Sequence, residues 1–290
     1  MDFSEILNRG VNQISVFNSL KTKLASGKQL RVKFGIDPTG TEVTIGHAVP
    51  IRKLKQFQDA GHQIVLIIGD FTARIGDPSG KTKTRVPLSK EQVETNAATY
   101  IEQMGKVLDI SKVEVHYNST WLSKLNFEEI LKLASVFTVS QMLEREMFAE
   151  RMKNQQPINL VEFFYPLMQG YDSVAIKADV EVGGNDQLFN LLAGRPIQEF
   201  FGMSSQDIIT TPLLVGLDGK EKMSKSLGNY ISVNDSPADM FGKTMSIPDE
   251  LIANYFELCT ERSLSEIKNL LSEIEQGRNP RDIKLELAKS

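Results

Sequence analysis

The chain has 290 residues, 41% hydrophobic and 24% charged, which is enough for one large domain, or a large domain with a small one, around a sizeable core. No apolar run approaches the ~20 residues needed to cross a bilayer, the start Met1-Asp2-Phe3-Ser4-Glu5 has no basic segment followed by an apolar one, and the single cysteine, Cys259, can form no internal disulfide, so a reducing, cytoplasmic setting is expected. His47, His62 and His116 fall at no zinc spacing, so no metal site is expected, and a net charge of −4 argues against a surface that binds nucleic acid indiscriminately.

In chain order, residues 4–26 read as helices. Leu30-Arg31-Val32-Lys33-Phe34-Gly35-Ile36 is strand-like and runs into the turn cluster Asp37-Pro38-Thr39-Gly40. Residues 46–60 read as a helix, with Ile51, Leu54 and Phe57 on one face and Gly61 to end it. Ile64-Val65-Leu66-Ile67-Ile68 is a continuous apolar run of the kind buried in parallel sheets. A Gly-, Pro- and Lys-rich loop over 70–88, a helix over 90–107 and a strand at Val113-Glu114-Val115 follow. Residues 119–176 read as an almost wholly helical insertion, after which strands are expected at Val180-Glu181-Val182 and Ile208-Ile209-Thr210. The alternation predicts an α/β fold, a Rossmann-like doubly wound parallel sheet carrying a helical insertion. From about residue 236 to 290 the pattern is helical only, a small all-α domain after a catalytic domain over 1–235. The amphipathic run Asp282–Ser290 has no cap, and reads as the end of a shortened chain.

Thr44-Ile45-Gly46-His47 lies between the first strand and the next helix, where a parallel sheet binds ligands. A helix N-terminus offers free N–H groups to a phosphate, Gly46 permits close approach, and His47 can donate a hydrogen bond. An ordinary helix start with a surface histidine fits those four residues as well. Lys222-Met223-Ser224-Lys225-Ser226, flanked by Gly219 and Gly228, is more specific. Two lysines on a glycine-flanked loop can grip a pyrophosphate as it leaves, placing positive charge where negative charge develops. Tyr165, Gln169 and Asp172 stand at i, i+4, i+7 and share a helix face, with Leu160, Phe163, Leu167 and Val174 opposite as its anchor; a solvated polar face is the other reading. Gly183-Gly184-Asn185-Asp186-Gln187 follows a strand and is equally readable as a strand-to-helix turn. Gly76-Asp77-Pro78-Ser79-Gly80-Lys81-Thr82 has one residue too few between its glycines for a phosphate loop, which excludes a P-loop nucleotidase.

The Thr44–His47 and Lys222–Ser226 motifs, in this order, resemble those of the class I aminoacyl-tRNA synthetases, and Tyr165-Pro166-Leu167-Met168-Gln169-Gly170-Tyr171-Asp172 resembles the amino-acid helix of the tyrosyl-tRNA synthetases of bacterial type. The resemblance implies activation of L-tyrosine by ATP with Mg2+ to tyrosyl-AMP, then transfer to tRNA(Tyr), by a homodimer that uses no tightly bound cofactor. It implies a tyrosine site of Asp37, Asp77, Tyr165, Gln169, Asp172 and Gln187, with Asp172 on the phenol hydroxyl. It implies an ATP site of Gly46, His47, Gly183, Gly184, Asp186, Leu214, Val215 and Lys225, and catalysis by Thr39, Thr44, His47, Lys222 and Lys225, with Lys81 and Arg85 on a mobile loop. Thr44 stands where the family has the first histidine of its motif, and Lys33 where many members have a second tyrosine at the phenol hydroxyl. The resemblance also places a dimer interface around 137–152, where Val139, Met142, Leu143, Met147 and Phe148 could equally be core. It implies a further RNA-binding domain beyond residue 290, and hence weak charging of tRNA by this length of chain. A tryptophan–tRNA ligase and a synthetase-like binding protein without catalysis are the rival readings.

Overall fold

The computed structural model describes residues 3–79 and 89–290. Strand β1 (Gln13–Ser15) lies between helices α1 (Ser4–Asn8) and α2 (Phe17–Ala25), and is followed by β2 (Arg31–Ile36), α3 (Ile45–Asp59) and β3 (Gln63–Ile68). Helix α4 (Lys90–Met104) leads into β4 (Val113–Tyr117). The insertion contains α5 (Ser119–Leu122), α6 (Phe127–Ala134), α7 (Val139–Leu143), α8 (Glu146–Lys153) and α9 (Tyr165–Ala175). Then come β5 (Val180–Gly184), α10 (Leu188–Phe200) and β6 (Asp207–Thr211), and after them α11 (Pro237–Met245), α12 (Ile252–Cys259), α13 (Leu264–Glu275) and α14 (Pro280–Lys289).

The six strands form one sheet in the order β1-β6-β5-β2-β3-β4. Strands β2 to β6 run parallel; β2, β3, β5 and β6 are largely buried, as a sheet covered on both faces requires, while β4 at the edge is only half-buried. The sheet is mixed, however, and not wholly parallel: β1, inside the stretch expected to be helical, pairs antiparallel with β6, Ile14 opposite Ile209. Three residues are too few to show a period of two, and they close an edge that β6 would otherwise leave unpaired.

Ile51, Leu54 and Phe57 of α3 are fully buried against the sheet, as their spacing predicts. In the insertion α9 lies unusually close to α10: a Cβ on Gly170 would stand 3.2 Å from the Ala193 carbonyl oxygen and 2.5 Å from Ile197. Phe163, Leu167 and Val174 pack in a cluster with Ile197, but Leu160, expected to anchor with them, is 72% exposed. It belongs to a separate 3-10 turn over Leu160–Phe164, so the helical phase counted back from α9 does not reach it.

The C-terminal helices share a core with the sheet-bearing part of the chain. Ile252, Tyr255, Phe256, Ile283 and Leu287 cluster with Val49 of α3 and with Leu214, Met223 and Ile231. Arg9 reinforces the junction by donating to the carbonyls of Phe256, Glu257, Thr260 and Arg262, capping the C-terminus of α12. Among the described residues no helix is long and apolar enough to cross a membrane.

Candidate active site

From β2 the chain builds outward to β3 and β4, then returns to place β5 on the other side of β2. The β2–β5 ladder pairs Val32 with Val180 and Lys33 with Glu181. Beyond that pair lie Asp37 on one side and Gly183 to Asp186 on the other. This is the switch point of an open parallel sheet, where a crevice forms at the carboxyl ends of the strands.

At one end of the crevice a set of polar side chains interlocks around Asp172. Asp172, on the inward face of α9, is 3% exposed; its Oδ1 accepts from the Trp121 indole N–H at 2.8 Å and its Oδ2 from the Asn118 amide at 3.3 Å. Burial pushes the Asp172 carboxyl up to about 6, while Lys33, Trp121 and Asn118 pull the other way. Asn118 also donates to the Thr72 hydroxyl at 3.1 Å, and Thr72 donates to Asp37 Oδ1 at 2.7 Å. The second Asp37 oxygen accepts from the Tyr165 hydroxyl at 2.9 Å. Asp77 accepts from Gln187 Nε2 at 2.9 Å, from the Ser79 N–H at 2.8 Å and from Asn190 at 3.3 Å. Gln169 donates to Glu181 at 3.2 Å. The fold thus joins Asp37 with Tyr165 and Asp77 with Gln187, and puts Gln169 and Asp172 on the inward side of one helix.

The other end faces the loops. His47, at the start of α3, accepts from the Thr44 N–H at Nδ1, 3.2 Å away, so its proton sits on Nε2. Burial, then the charges of Lys225 and Lys222, lowers the His47 pKa to about 4, although Asp186 opposes them. The ring is a neutral donor. Thr44 differs from expectation: it is fully enclosed, its hydroxyl lies 2.8 Å from His47 Nδ1, and it caps α3. The hydroxyl is spent on the helix start and on orienting the imidazole, which leaves none of it facing a phosphate.

Lys222 and Asp186 form a bridge of 3.0 Å in the open part of the crevice. Lys225 reaches the Glu42 carbonyl at 2.9 Å and lies over Gly40, where a Cβ would come within 2.7 Å of its Nζ. That close pass brings it beside the exposed Thr39. Gly46 leaves room for Met223, whose Cβ would be 3.4 Å from an added Cβ. Gly183 and Gly184 lie at the end of β5. Leu214 departs from the expected lining: its side chain is buried in the C-terminal cluster, and Leu213 is the neighbour that lies against Gly184. Val215 is half-buried and pairs through its backbone with Lys222, while its carbonyl accepts from Tyr255. Lys81 and Arg85 lie outside the described residues. Thr72, Asn118, Trp121 and Asn190 had not been singled out in the sequence. Asn118 and Trp121 follow the carboxyl end of β4, a position that could have flagged them; the other two carry no local signal.

A switch-point crevice with a glycine-rich turn on β5, a histidine at the start of α3 and a two-lysine loop across from it is the arrangement expected of a class I aminoacyl-tRNA synthetase. Residues 25–290 match the model of the family described as tRNA synthetases class I (W and Y). The chain is 55% identical over 290 residues to the tyrosine–tRNA ligase of Carboxydothermus hydrogenoformans, covering 98% of this chain and 71% of that one. It is 54% identical over 283 residues to that of Haemophilus influenzae, with 98% and 71% covered. The chain belongs to this family, on its tyrosine–tRNA ligase branch. Its fold is that of the tyrosyl-tRNA synthetase from Archaeoglobus fulgidus solved with L-tyrosine, at 24% identity and a TM-score of 0.80, with 100% of this chain and 96% of the other covered. A C-terminally truncated mitochondrial enzyme from Coccidioides posadasii superposes with a TM-score of 0.74 at 25% identity, over 99% and 85% of the two chains.

Proposed function

We propose that the chain activates L-tyrosine with ATP and passes the tyrosyl group to tRNA(Tyr). The observation that carries this reading is Asp172: an enclosed carboxylate with one donor on each oxygen has acceptor capacity left for a phenol O–H. An apolar ring with no hydroxyl would bury that capacity unused.

In this reading Asp37, Tyr165, Asp77, Gln169 and Gln187 surround the amino and carboxylate groups of tyrosine, and the carboxylate oxygen faces the α-phosphorus. It attacks in line, forming the acyl–phosphate bond while the bond from the α-phosphorus to the bridging oxygen breaks and pyrophosphate leaves with the electron pair. No side chain has to move a proton. The work is alignment and charge neutralisation by Lys222, Lys225, the His47 Nε2–H and Thr39, joined by Lys81 and Arg85. Thr44 acts through His47. Gly46 makes room for Met223 of the lysine loop and Gly183 for Leu191, so both shape the nucleotide crevice through packing, Gly184 lets Asp186 fold close to the backbone, and Asp186 takes the ribose hydroxyls. The Lys222–Asp186 bridge is exposed and of small energy, at most about 1 kcal/mol, so the two can part to meet phosphate and ribose. Magnesium arrives on the ATP phosphates and neutralises part of their charge. Transfer to the tRNA terminal hydroxyl completes the cycle. Exposed apolar side chains on the insertion support a dimer of this chain, with the same face on each copy.

The test is amino-acid-dependent exchange of labelled pyrophosphate into ATP. Exchange with tyrosine, and none with tryptophan or phenylalanine, is the expected result. Exchange with tryptophan alone would overturn the substrate, and none with any amino acid would leave a binding protein.

A further inference from the structure

Lys33 and Glu181 have no part in the chemistry above, yet both side chains are fully enclosed and they lie 2.9 Å apart. They are register partners across β2 and β5, at the head of the crevice. The Lys33 ammonium donates to Glu181, to the Gln169 backbone carbonyl at 2.7 Å and to the Ser173 hydroxyl at 2.8 Å. Its three hydrogens are then used, and none remains for a substrate hydroxyl. Glu181 in turn accepts from Gln169 Nε2 at 3.2 Å through Oε1, and from Ser173 at 3.4 Å and Gln206 through Oε2. A buried ion pair is a poor source of stability, because desolvation offsets most of the attraction. What this one does is hold a neighbour.

We propose that Lys33 and Glu181 are positioning residues that fix the carboxamide of Gln169 with its oxygen toward the substrate ammonium. A carboxylate paired with an ammonium only accepts hydrogen bonds, so the Gln169 group facing it has to be the NH2, and the oxygen turns the other way. Released from Glu181, the amide could rotate and present N–H donors to a positive charge. Lys33 secures both ends of the arrangement, since it binds the carboxylate and the backbone of Gln169 itself. The proposal rests on the reading of this pocket as a tyrosine site in which Gln169 meets the ammonium.

The chain has a single tryptophan, Trp121, bonded to Asp172, so its emission reports occupancy of the pocket. Two probes separate the contributions: tyramine, which has the ammonium, and 3-(4-hydroxyphenyl)propionate, which lacks it. The variant Lys33→Met/Glu181→Leu removes the anchor without stranding a buried charge, and Lys33→Met/Glu181→Gln removes the charges while keeping an acceptor for Gln169. Read at pH 8, where Asp172 stays ionised without the Lys33 charge that lowers its pKa, the first should weaken tyramine about tenfold, the worth of one hydrogen bond, and leave the des-amino probe unchanged. The second should recover most of the tyramine affinity. Equal weakening of both probes, or undiminished tyramine binding by the first variant, would overturn the proposal. Gln169→Ala keeps the two readings apart. If it weakens tyramine alone, the site reading stands and only the pair is on trial; if the unaltered protein binds neither probe, both fall.

Discussion

Asp172 combines two demands that pull against each other. Enclosure raises its pKa to about 6, and in the proposed tyrosine site it would accept the phenol O–H fully only as the carboxylate. Protons therefore compete with substrate as pH falls through 6. The KM for tyrosine should be flat above pH 7 and rise to about tenfold higher at pH 5, one unit below the pKa. Steady-state exchange across that range measures it, and the acid limb should vanish in Asp172→Asn, with a high KM throughout. His47 does not blur the result, because its own pKa is held near 4 by burial and by Lys225 and Lys222. The neutral His47 donor makes a separate prediction. If His47 serves the phosphates as proposed, His47→Ala removes a hydrogen bond to a charged group, worth about 1.5–3 kcal/mol, and should lower kcat by one to two orders of magnitude. Tyrosine affinity, read from Trp121 emission, should not change; a loss of affinity equal to the loss of rate would argue against a role in the chemical step.

At the level of elements, α9 was the most legible part of the chain. Its i, i+4, i+7 spacing identified Gln169 and Asp172 as sharing a face, because both are fixed by one helix and need no knowledge of the rest. The partners of Asp172 were not legible, since Trp121 and Asn118 come from the end of β4 and reach the carboxylate only once the sheet has formed. Strand β1 and the exposed Leu160 escaped for a related reason: a three-residue strand and a 3-10 turn are too short to show their periods. What keeps α9 in place is its close approach to α10 at Gly170. Gly170→Ala puts a methyl against the Ala193 carbonyl and Ile197, and overpacking of this kind costs about 1–3 kcal/mol. A lower midpoint in urea is expected, together with weaker tyrosine binding, because Gln169 and Asp172 move with the helix. An unchanged midpoint would show that the two helices separate freely.

Across the whole molecule, the motif at the start of α3 and the lysine loop were readable separately, while the core that joins them was not. Met223 of that loop packs in one cluster with Val49 of α3 and the C-terminal helices, so the boundary expected near residue 235 crosses a continuous apolar interior. The insertion raises the opposite question, since its hydrophobic residues divide. Met142 and Phe148 are buried, whereas Phe127, Val139 and Leu160 are 74%, 66% and 72% exposed. Phe200 and Phe201, half exposed at the end of α10, continue the apolar surface through the contact of Phe201 with Tyr171. Leaving side chains of this size in water forgoes about 1.5–3 kcal/mol each, and a second copy of the chain, presenting the same face, would recover much of that. Sedimentation at micromolar concentration should therefore give a two-chain particle. Val139→Glu combined with Leu160→Glu places charges on the face proposed to meet a second copy, and should yield a folded monomer with an unchanged circular-dichroism spectrum. A single-chain particle before any substitution would assign the exposed surface to another partner.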